Sequence, residues 1–219
     1  MGGYRVGIVI PALNESATIA EVVAGAKVYG VPIVVDDGST DTTTELALRA
    51  GAVVVTHEGN RGYDAALNTG FKKADELACE IVITLDADGQ HDPLLIQKFI
   101  SAVDAGAELV VGSRSRRQRF SEHLFGWYTN LRFEIADPLC GMKAYRIGVY
   151  RARGYFDSFG SVGTELAISS AKRGCRLSNV SFKVLQRSGK SRFGQTLTGN
   201  YKIIRAMLIA IWRVDIRNS

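Results

Sequence analysis

The chain has 219 residues, enough for one α/β domain with a sizeable buried core. Hydrophobic residues make up 46% and charged residues 22%, a balance that excludes a mainly disordered chain. The net charge of +5 at pH 7 favours anionic partners, whether phosphates, nucleic acid or an anionic membrane face.

The cysteine count and the distribution of apolar residues indicate the cellular compartment of the protein. Cys79, Cys140 and Cys175 are an odd number without close pairing, which argues against a disulfide framework and favours a reducing setting. No stretch near the N-terminus resembles a signal peptide, and no window reaches the ~20 apolar residues of a membrane-spanning helix. We therefore expect a cytoplasmic protein, either soluble or peripheral on the cytoplasmic face of the membrane.

Strands and helices alternate along the first half of the chain. Short β-branched runs predict strands at 6–10, 32–36, 52–56, 81–85 and 108–111. Helices are predicted between them at 18–29, 39–50, from about 60 to 78, and after 92, with Ser16, Ser39 and Asp92 as caps. Such alternation predicts βαβ units and a mostly parallel sheet flanked by helices, with ligands beyond the carboxyl ends of the strands.

The pattern weakens after residue 112. Residues 113–122 are rich in arginine and polar side chains without an apolar period, and they predict a mobile loop. A helix at 164–173, a strand at 177–185, a basic loop at 187–194 and a closing helix at 198–213 follow. Because we find no repeat, low-complexity stretch or linker, we predict one domain over 1–219.

Two acidic residues follow the fourth predicted strand. Asp86 and Asp88 are two positions apart in a segment predicted to be extended, so both side chains can point the same way. Adjacent carboxylates repel unless a cation neutralises them, and hard oxygen ligands suit Mg²⁺ or Mn²⁺. Gln90 can add a carbonyl oxygen, and His91 lies within reach. The alternative is a turn formed with Gly89 that leads into the next helix.

A second acidic pair follows the second predicted strand. Asp36 and Asp37 can cap a helix, but Ser39 or Asp41 can fill that role alone, which leaves Asp37 free. A free carboxylate can accept hydrogen bonds from a nucleotide base or from ribose hydroxyls. Arg114, after the fifth strand, offers a fork of N–H groups that suits a diphosphate.

Six short stretches match a known family, in the expected order. They are IPALNE (10–15), VVDDGSTD (34–41), NRGYDAALNTGF (60–71), TLDADGQHDP (84–93), VGSR (111–114) and DPLCGMKAYR (137–146). On these motifs the chain resembles the family 2 inverting glycosyltransferases with the GT-A fold, most of all the dolichyl- and polyprenyl-phosphate sugar synthases. The resemblance implies a Rossmann-like GT-A domain, with a nucleotide-binding half over about 1–114 and an acceptor-side half over about 115–219.

The resemblance also implies individual roles. The nucleotide-sugar site would comprise Pro11, Leu13, Glu15, Val35, Asp37, Asp86, Ala87, Asp88 and Arg114. Asp86, Asp88 and Gln90 would bind Mg²⁺ or Mn²⁺, and the catalytic residues would be Asp88, Arg114 and Asp137. Asp137 would face the acceptor or sugar side of the cleft, although a turn before Pro138 also accounts for it. Leu13 stands where an aromatic residue is common, which predicts weaker stacking on the base.

The implied reaction moves a sugar from a GDP- or UDP-sugar to a polyprenyl or dolichyl phosphate. One alternative is a saccharide acceptor in surface polysaccharide synthesis, with Asp137 as general base. Another is a non-catalytic module that binds a nucleotide-sugar or a membrane. The loop after the first strand has no glycine, which argues against a nucleotidyltransferase or a dinucleotide-dependent dehydrogenase. Basic loops without interleaved aromatic residues do not predict nucleic-acid binding.

The closing helix leaves two interpretations open. On a helical wheel Lys202, Arg205, Arg213 and Arg217 fall on one side, and Ile203, Ile204, Met207, Leu208, Ile211 and Trp212 fall on the other. A basic stripe opposite an apolar face suits a helix at the membrane surface, and the loop arginines Arg116, Arg117 and Arg119 favour this. The same apolar face can instead dock on the sheet.

Overall fold

The computed structural model describes residues 5–115, 119–184 and 196–212. Within these residues the strands are β1 Val6–Ala12, β2 Val31–Asp36, β3 Val53–Thr56, β4 Ile81–Thr84, β5 Leu109–Arg114, β6 Lys143–Arg146 and β7 Leu177–Phe182. The helices are α1 Ile19–Lys27, α2 Thr43–Ala50, α3 Tyr63–Glu76, α4 Leu95–Asp104, α5 Phe120–Phe133, α6 Ile147–Arg151, α7 Glu165–Lys172 and α8 Thr196–Ala210.

All seven of these strands join one sheet in the order β3-β2-β1-β4-β6-β5-β7. β1 lies between β2 and β4 and is parallel to both, whereas β6 runs antiparallel to its neighbours β4 and β5. The predicted α/β class and the mostly parallel sheet are thus confirmed. Strands β6 and β7 come from the second half of the chain, so both predicted halves contribute to the same sheet.

Helices cover both faces of the sheet, which explains why its central strands are apolar throughout rather than alternating. Ile8 and Ile10 of β1 point into a core layer formed with α1, α2 and α4. Val9, between them, points into the opposite layer, formed with α3 and α5 to α8. The period of two along a strand places successive side chains on opposite faces, and here each face has its own apolar partner.

Two of the predicted caps are wrong. Ser16 does not cap α1; its backbone N–H donates to the Asp41 carboxylate at 3.2 Å. Ser39 does not cap α2 either, because its Oγ accepts the backbone N–H of Asn14 at 2.8 Å. Both serines are used to join loops. Asp92 lies in the turn that leads into α4, where its Oδ1 accepts the N–H of Leu94 at 2.9 Å, and the N-cap position itself is Leu94.

The predicted loop at 113–122 is wrong at both ends. β5 continues to Arg114 because β7 pairs with it as far as Arg114, opposite Phe182. The helix α5 already begins at Phe120. Arg116 and Arg117 lie outside the described residues, as do the predicted basic loop at 187–194 and residues Arg213 and Arg217.

Only part of the predicted apolar face of the last helix, α8, is buried in the core. Ile203, Met207 and Ala210 are buried in the core layer that α8 shares with α5, and Ala206 is buried as well. Ile204 and Leu208 are exposed instead, on the far side of the helix. The side chain of Lys202 lies outside the described residues. Among the helices described, none has the length and apolarity needed to cross a bilayer.

Candidate functional site

Three loops meet at the carboxyl ends of β1, β2 and β4, where ligands of parallel sheets bind. The β1 loop is fastened to the β2 loop, because Asn14 Oδ1 accepts the N–H of Thr40 at 2.7 Å. It is also fastened to the β4 loop, because Thr18 Oγ1 donates to the carbonyl of Ala87 at 2.7 Å. The loops therefore form one connected rim.

Three predicted nucleotide-site residues, Pro11, Leu13 and Glu15, are partly exposed on this rim. The backbone N–H of Glu15 donates to Thr43 Oγ1 at 2.8 Å, which fixes the loop against the start of α2. The side chains of these residues are accessible to a ligand, and their role in nucleotide binding stays a prediction.

Two other residues predicted to bind the nucleotide-sugar, Val35 and Ala87, are buried. Val35 is 0% exposed, and its side chain packs between the sheet and α3 at Gly70. Ala87 is 3% exposed and contributes its carbonyl to Thr18. Neither side chain is open to a ligand, so both support the rim from behind, and the predicted part of these two residues in nucleotide binding stays a prediction.

The expectation that Asp37 is free is also wrong. Its Oδ1 accepts the N–H of Arg61 at 2.9 Å and lies 2.7 Å from Nδ1 of His57, and its Oδ2 accepts the N–H of Gly62 at 2.7 Å. Since a carboxylate accepts, Nδ1 of His57 is the donor to Asp37, and the other ring nitrogen, Nε2, lies 2.9 Å from Thr69 Oγ1. Buried and fully engaged, Asp37 shapes the loop that leads into α3.

The acidic pair after β4 lies in a turn rather than in an extended segment. β4 ends at Thr84, and Asp88 Oδ1 accepts the N–H of Gln90 at 3.1 Å across a turn in which Gly89 has φ of +72°. The turn interpretation is thus correct for the backbone. Asp86 is partly exposed, and its Oδ1 accepts the hydroxyl of Tyr63 at 3.3 Å.

The surroundings of Asp86 are tight on one side and polar on the other. A Cβ added at Gly141 would overlap the Asp86 carboxylate, so the backbone at 141 approaches it as only glycine permits. His91 is 5% exposed, and its Nδ1 lies 3.8 Å from Asp86 Oδ2. This nitrogen is buried without a hydrogen-bond partner among the described residues.

These residues fit a divalent cation. No group of three or more His, Cys, Asp or Glu side chains surrounds a common point in the described chain. Mg²⁺ does not need one, because it is commonly held by one or two carboxylates and completes its coordination with water and substrate phosphates. Asp86 and Asp88 supply the hard oxygens, and the unpartnered His91 nitrogen shows that the polar contacts here are incomplete.

The two remaining predicted catalytic residues bind each other. Arg114 Nε donates to Asp137 Oδ2 at 2.7 Å, and its second terminal nitrogen donates to Oδ1 at 3.0 Å. Glu122 of α5 lies 3.4 Å from the same guanidinium. Burial by itself lowers the pKa of Arg114, but Asp137 outweighs it and holds that pKa above its usual value. Predicted as separate catalytic groups, Arg114 and Asp137 form one bidentate ion pair.

Lys143 is a site residue that sequence reasoning missed. It lies on β6, is 3% exposed, and donates from Nζ to the carbonyl of Cys140 at 2.6 Å. Burial lowers the pKa of its ammonium group, while the charges of Asp137 and Asp86 act in the opposite direction. A lysine inside a short strand, in the stretch GMKAYR, was the signal available. Its position places a buried cation between the two acidic groups.

The segment before α7 was also missed. Asp64 of α3 accepts the N–H groups of Val162 and Gly163, at 3.1 and 2.6 Å. Gly163 lies against the ring of Tyr63, which donates to Asp86. Burial, together with the charge of Asp157, raises the pKa of Asp64 to about 6. This segment is therefore joined to the acidic turn through α3.

This sheet order, with acidic loops at the carboxyl ends of its strands, defines a GT-A glycosyltransferase fold. The crystal structure of glucosyl-3-phosphoglycerate synthase from Mycobacterium tuberculosis superimposes with a TM-score of 0.77, over 99% of this chain and 82% of that one, at 24% identity. A second crystal of that synthase holds Mn²⁺, uridine diphosphate and glucosyl-3-phosphoglycerate. At this identity the likeness shows the fold.

The chain belongs to glycosyl transferase family 2, whose family model matches residues 7–134. An uncharacterised protein of Methanocaldococcus jannaschii is 30% identical over 92% of this chain and 90% of its own length. The UDP-N-acetylglucosamine–dolichyl-phosphate N-acetylglucosaminyltransferase of Methanococcus voltae is 35% identical over 54% of this chain and 55% of its own. The resemblance drawn from the motifs is confirmed.

Proposed function

We propose that this glycosyltransferase moves a sugar from a UDP- or GDP-sugar to a polyprenyl or dolichyl phosphate, with inversion at the anomeric carbon. The observation that carries the proposal is the acidic turn of Asp86 and Asp88 beside the unpartnered buried nitrogen of His91. The Methanococcus relative, by its name, uses such a donor and such an acceptor.

Asp86, Asp88 and Gln90 would hold Mg²⁺ or Mn²⁺. Such an ion, when bound, neutralises the charge that develops on a departing diphosphate. The Mn²⁺ and uridine diphosphate in the mycobacterial crystal support this assignment by analogy of fold. Tyr63 would orient Asp86 through its hydroxyl, and the turn hydrogen bond at Gln90 would orient Asp88.

The engagement of Asp137 favours a phosphate acceptor over a hydroxyl. A hydroxyl acceptor needs a general base, but both oxygens of Asp137 accept N–H groups of Arg114. A phosphate monoester is already ionised at neutral pH and attacks without losing a proton. Its oxygen would approach the anomeric carbon from the face opposite the diphosphate, while Arg114 and Lys143 would supply positive charge to the site.

The test is transfer of labelled sugar by the purified chain from a panel of UDP- and GDP-sugars. The acceptors are a short-chain polyprenyl phosphate and the matching polyprenol, which lacks only the phosphate. We expect a lipid-linked product with the phosphate, none with the polyprenol, and loss of product in excess chelator. Transfer to the polyprenol at an equal rate, or to an oligosaccharide alone, would overturn the proposed acceptor.

A further inference from the structure

Two neighbouring helices each expose a set of large apolar side chains, and the two sets are here together called the α5–α8 surface. It comprises Phe120 (81% exposed), Leu124 (38%), Trp127 (64%) and Leu131 (74%) on α5, and Tyr201 (68%), Ile204 (41%), Leu208 (57%) and Trp212 (53%) on or just beyond α8. Single exposed apolar residues are ordinary, whereas a contiguous group marks a binding surface.

The spacing makes each set a stripe. Positions 120, 124, 127 and 131 are separated by four, three and four residues, and positions 201, 204, 208 and 212 by three, four and four, so each set lies on one helix face. The opposite faces are already buried, through Phe125 on α5 and Ile203 on α8. Both helices are therefore apolar on the core side and on the outer side.

The two stripes are neighbours because the helices pack together. Ser121 of α5 donates to the side chain of Asn200 on α8, and both helices bury residues in the same core layer. The start of α5 also adjoins the candidate site, since Glu122 contacts Arg114. The first turn of α5, which carries Phe120 of the exposed stripe, thus lies next to the ion pair of Arg114 and Asp137.

The charges around the stripes identify the partner. Residues 196–212 contain no Asp or Glu. The one acidic residue within α5, Glu122, is buried and paired with arginines, and one exposed acidic residue, Glu134, follows the helix as its C-cap. Arg132 and Arg205 are exposed on these helices. A second copy of the chain would bring like charges together, whereas an anionic lipid surface complements them. Tryptophan and tyrosine side chains favour the level of the lipid headgroups, because the ring can contact the acyl chains while the polar N–H or O–H group contacts water.

We propose that the α5–α8 surface docks on an anionic bilayer, with its aromatic side chains at headgroup depth. The proposal rests on the proposed function in one respect: a docked surface would bring a lipid phosphate to the Arg114 end of the site. Binding to the bilayer itself requires neither a sugar donor nor turnover.

The test is co-sedimentation of the full chain with phosphatidylcholine vesicles, with and without phosphatidylglycerol. We expect binding to the anionic vesicles and release at high salt, because the basic residues are screened. The double variant Trp127→Glu, Leu131→Glu should bind roughly tenfold or more weakly, since two apolar side chains no longer enter the lipid. Both sites are exposed, so its melting temperature should stay close to that of the wild type.

Leu48→Glu is the matched control, because Leu48 is 54% exposed on α2, away from these helices. It should bind vesicles as the wild type does. Equal binding by the double variant, no binding by the wild type, or a dimer that the double variant abolishes without any vesicle binding would each overturn the proposal. Vesicle binding without transfer to any polyprenyl phosphate would refute the proposed function and leave the docking surface standing.

Discussion

At the residue scale, the acidic residues of the site differ in burial and in the hydrogen bonds that their carboxylate oxygens accept from the rest of the chain. Asp37 and Asp137 are buried and spend both oxygens on donors of the chain itself. Asp86 is partly exposed, accepts the hydroxyl of Tyr63 and lies 3.8 Å from the unpartnered Nδ1 of His91, whereas Asp88 is buried and accepts the N–H of Gln90. The positions of Asp37, Asp86 and Asp88 after strands were predictable from sequence, whereas Asp137 lies between α5 and β6 and was singled out by the family motif. The hydrogen bonds that these carboxylates accept were not predictable, because the backbone donors to Asp37 come from a loop 24 and 25 residues away.

The acidic turn gives the most direct prediction. Asp88→Asn should abolish sugar transfer, because an amide keeps the shape and removes the charge that a divalent ion needs. The melting temperature should change little. Asp92→Asn is the control in the same loop, since an asparagine still accepts the N–H of Leu94. Turnover by the Asp88 variant at the wild-type rate would contradict the metal assignment.

Asp37 gives a prediction of the opposite kind. Asp37→Ala should lower the free energy of unfolding by about 3 kcal/mol or more, because it leaves two backbone N–H groups and a buried imidazole without their acceptor. Urea unfolding measures this, and calorimetric titration with UDP or GDP measures affinity. A variant of unchanged stability that no longer binds nucleotide would show instead that Asp37 contacts the base directly.

Asp64 gives a pH prediction. Its pKa in the folded chain, about 6, is above the ordinary 3.8, so folding favours the protonated form. This contribution is fully present below about pH 3.8 and is lost as the pH rises through about 6. The melting temperature of the wild type should therefore fall relative to that of Asp64→Asn between about pH 4 and pH 7. Asp104→Asn, exposed at the end of α4, is the control; a difference that is constant with pH would contradict the prediction.

At the element scale, periodicity identified the long helices and apolar strands but not the elements lacking a strong apolar period. β6 has only four residues, with Lys143 and Arg146 at its ends, and was missed. α5 was missed because arginines precede it and apolar residues occupy both of its faces. The same two-sided pattern left α8 ambiguous. Only the position of α5 beside it decides which face becomes core.

The two faces of α8 should respond differently to truncation. Ile203→Ala should cost about 2–4 kcal/mol of unfolding free energy, because Ile203 is 2% exposed and its loss leaves a cavity. Leu208→Ala should cost under about 0.5 kcal/mol, because Leu208 is 57% exposed. Chemical denaturation of the two variants makes the comparison. Similar losses in both would mean that the outer face is also packed.

At the scale of the whole molecule, four of the six motifs that identified the family lie at the carboxyl ends of β1, β2, β4 and β5, which end at the same side of the sheet. The chain order of these motifs was visible in the sequence, and their convergence followed from the rule for parallel strands. The insertion of a later antiparallel strand between β4 and β5 was not visible, because pairing between residues about 60 positions apart leaves no local pattern. The division into halves at about residue 114 stays a prediction.

Donor choice can be read from the stability of the whole chain. A nucleotide-sugar at about 100 times its dissociation constant should add about 2.7 kcal/mol, or roughly 5–11 °C in melting temperature for a chain of this size. We expect one of the UDP- or GDP-sugars to give this shift, and to give it only with Mn²⁺ or Mg²⁺. An equal shift in chelator would show that the diphosphate binds without the ion.

The place of β6 also has a consequence for synthesis of the chain on the ribosome. When residue 114 emerges, every residue predicted to bind the nucleotide has been made. The strand β6, which lies between β4 and β5 in the folded sheet, has not yet been made. The nascent chain then carries unpaired N–H and C=O groups along both strands, a state prone to association with other chains. Residues 143–146 end that state by pairing with both strands. The sheet of the first 114 residues is thus completed only after part of the second half of the chain has been made.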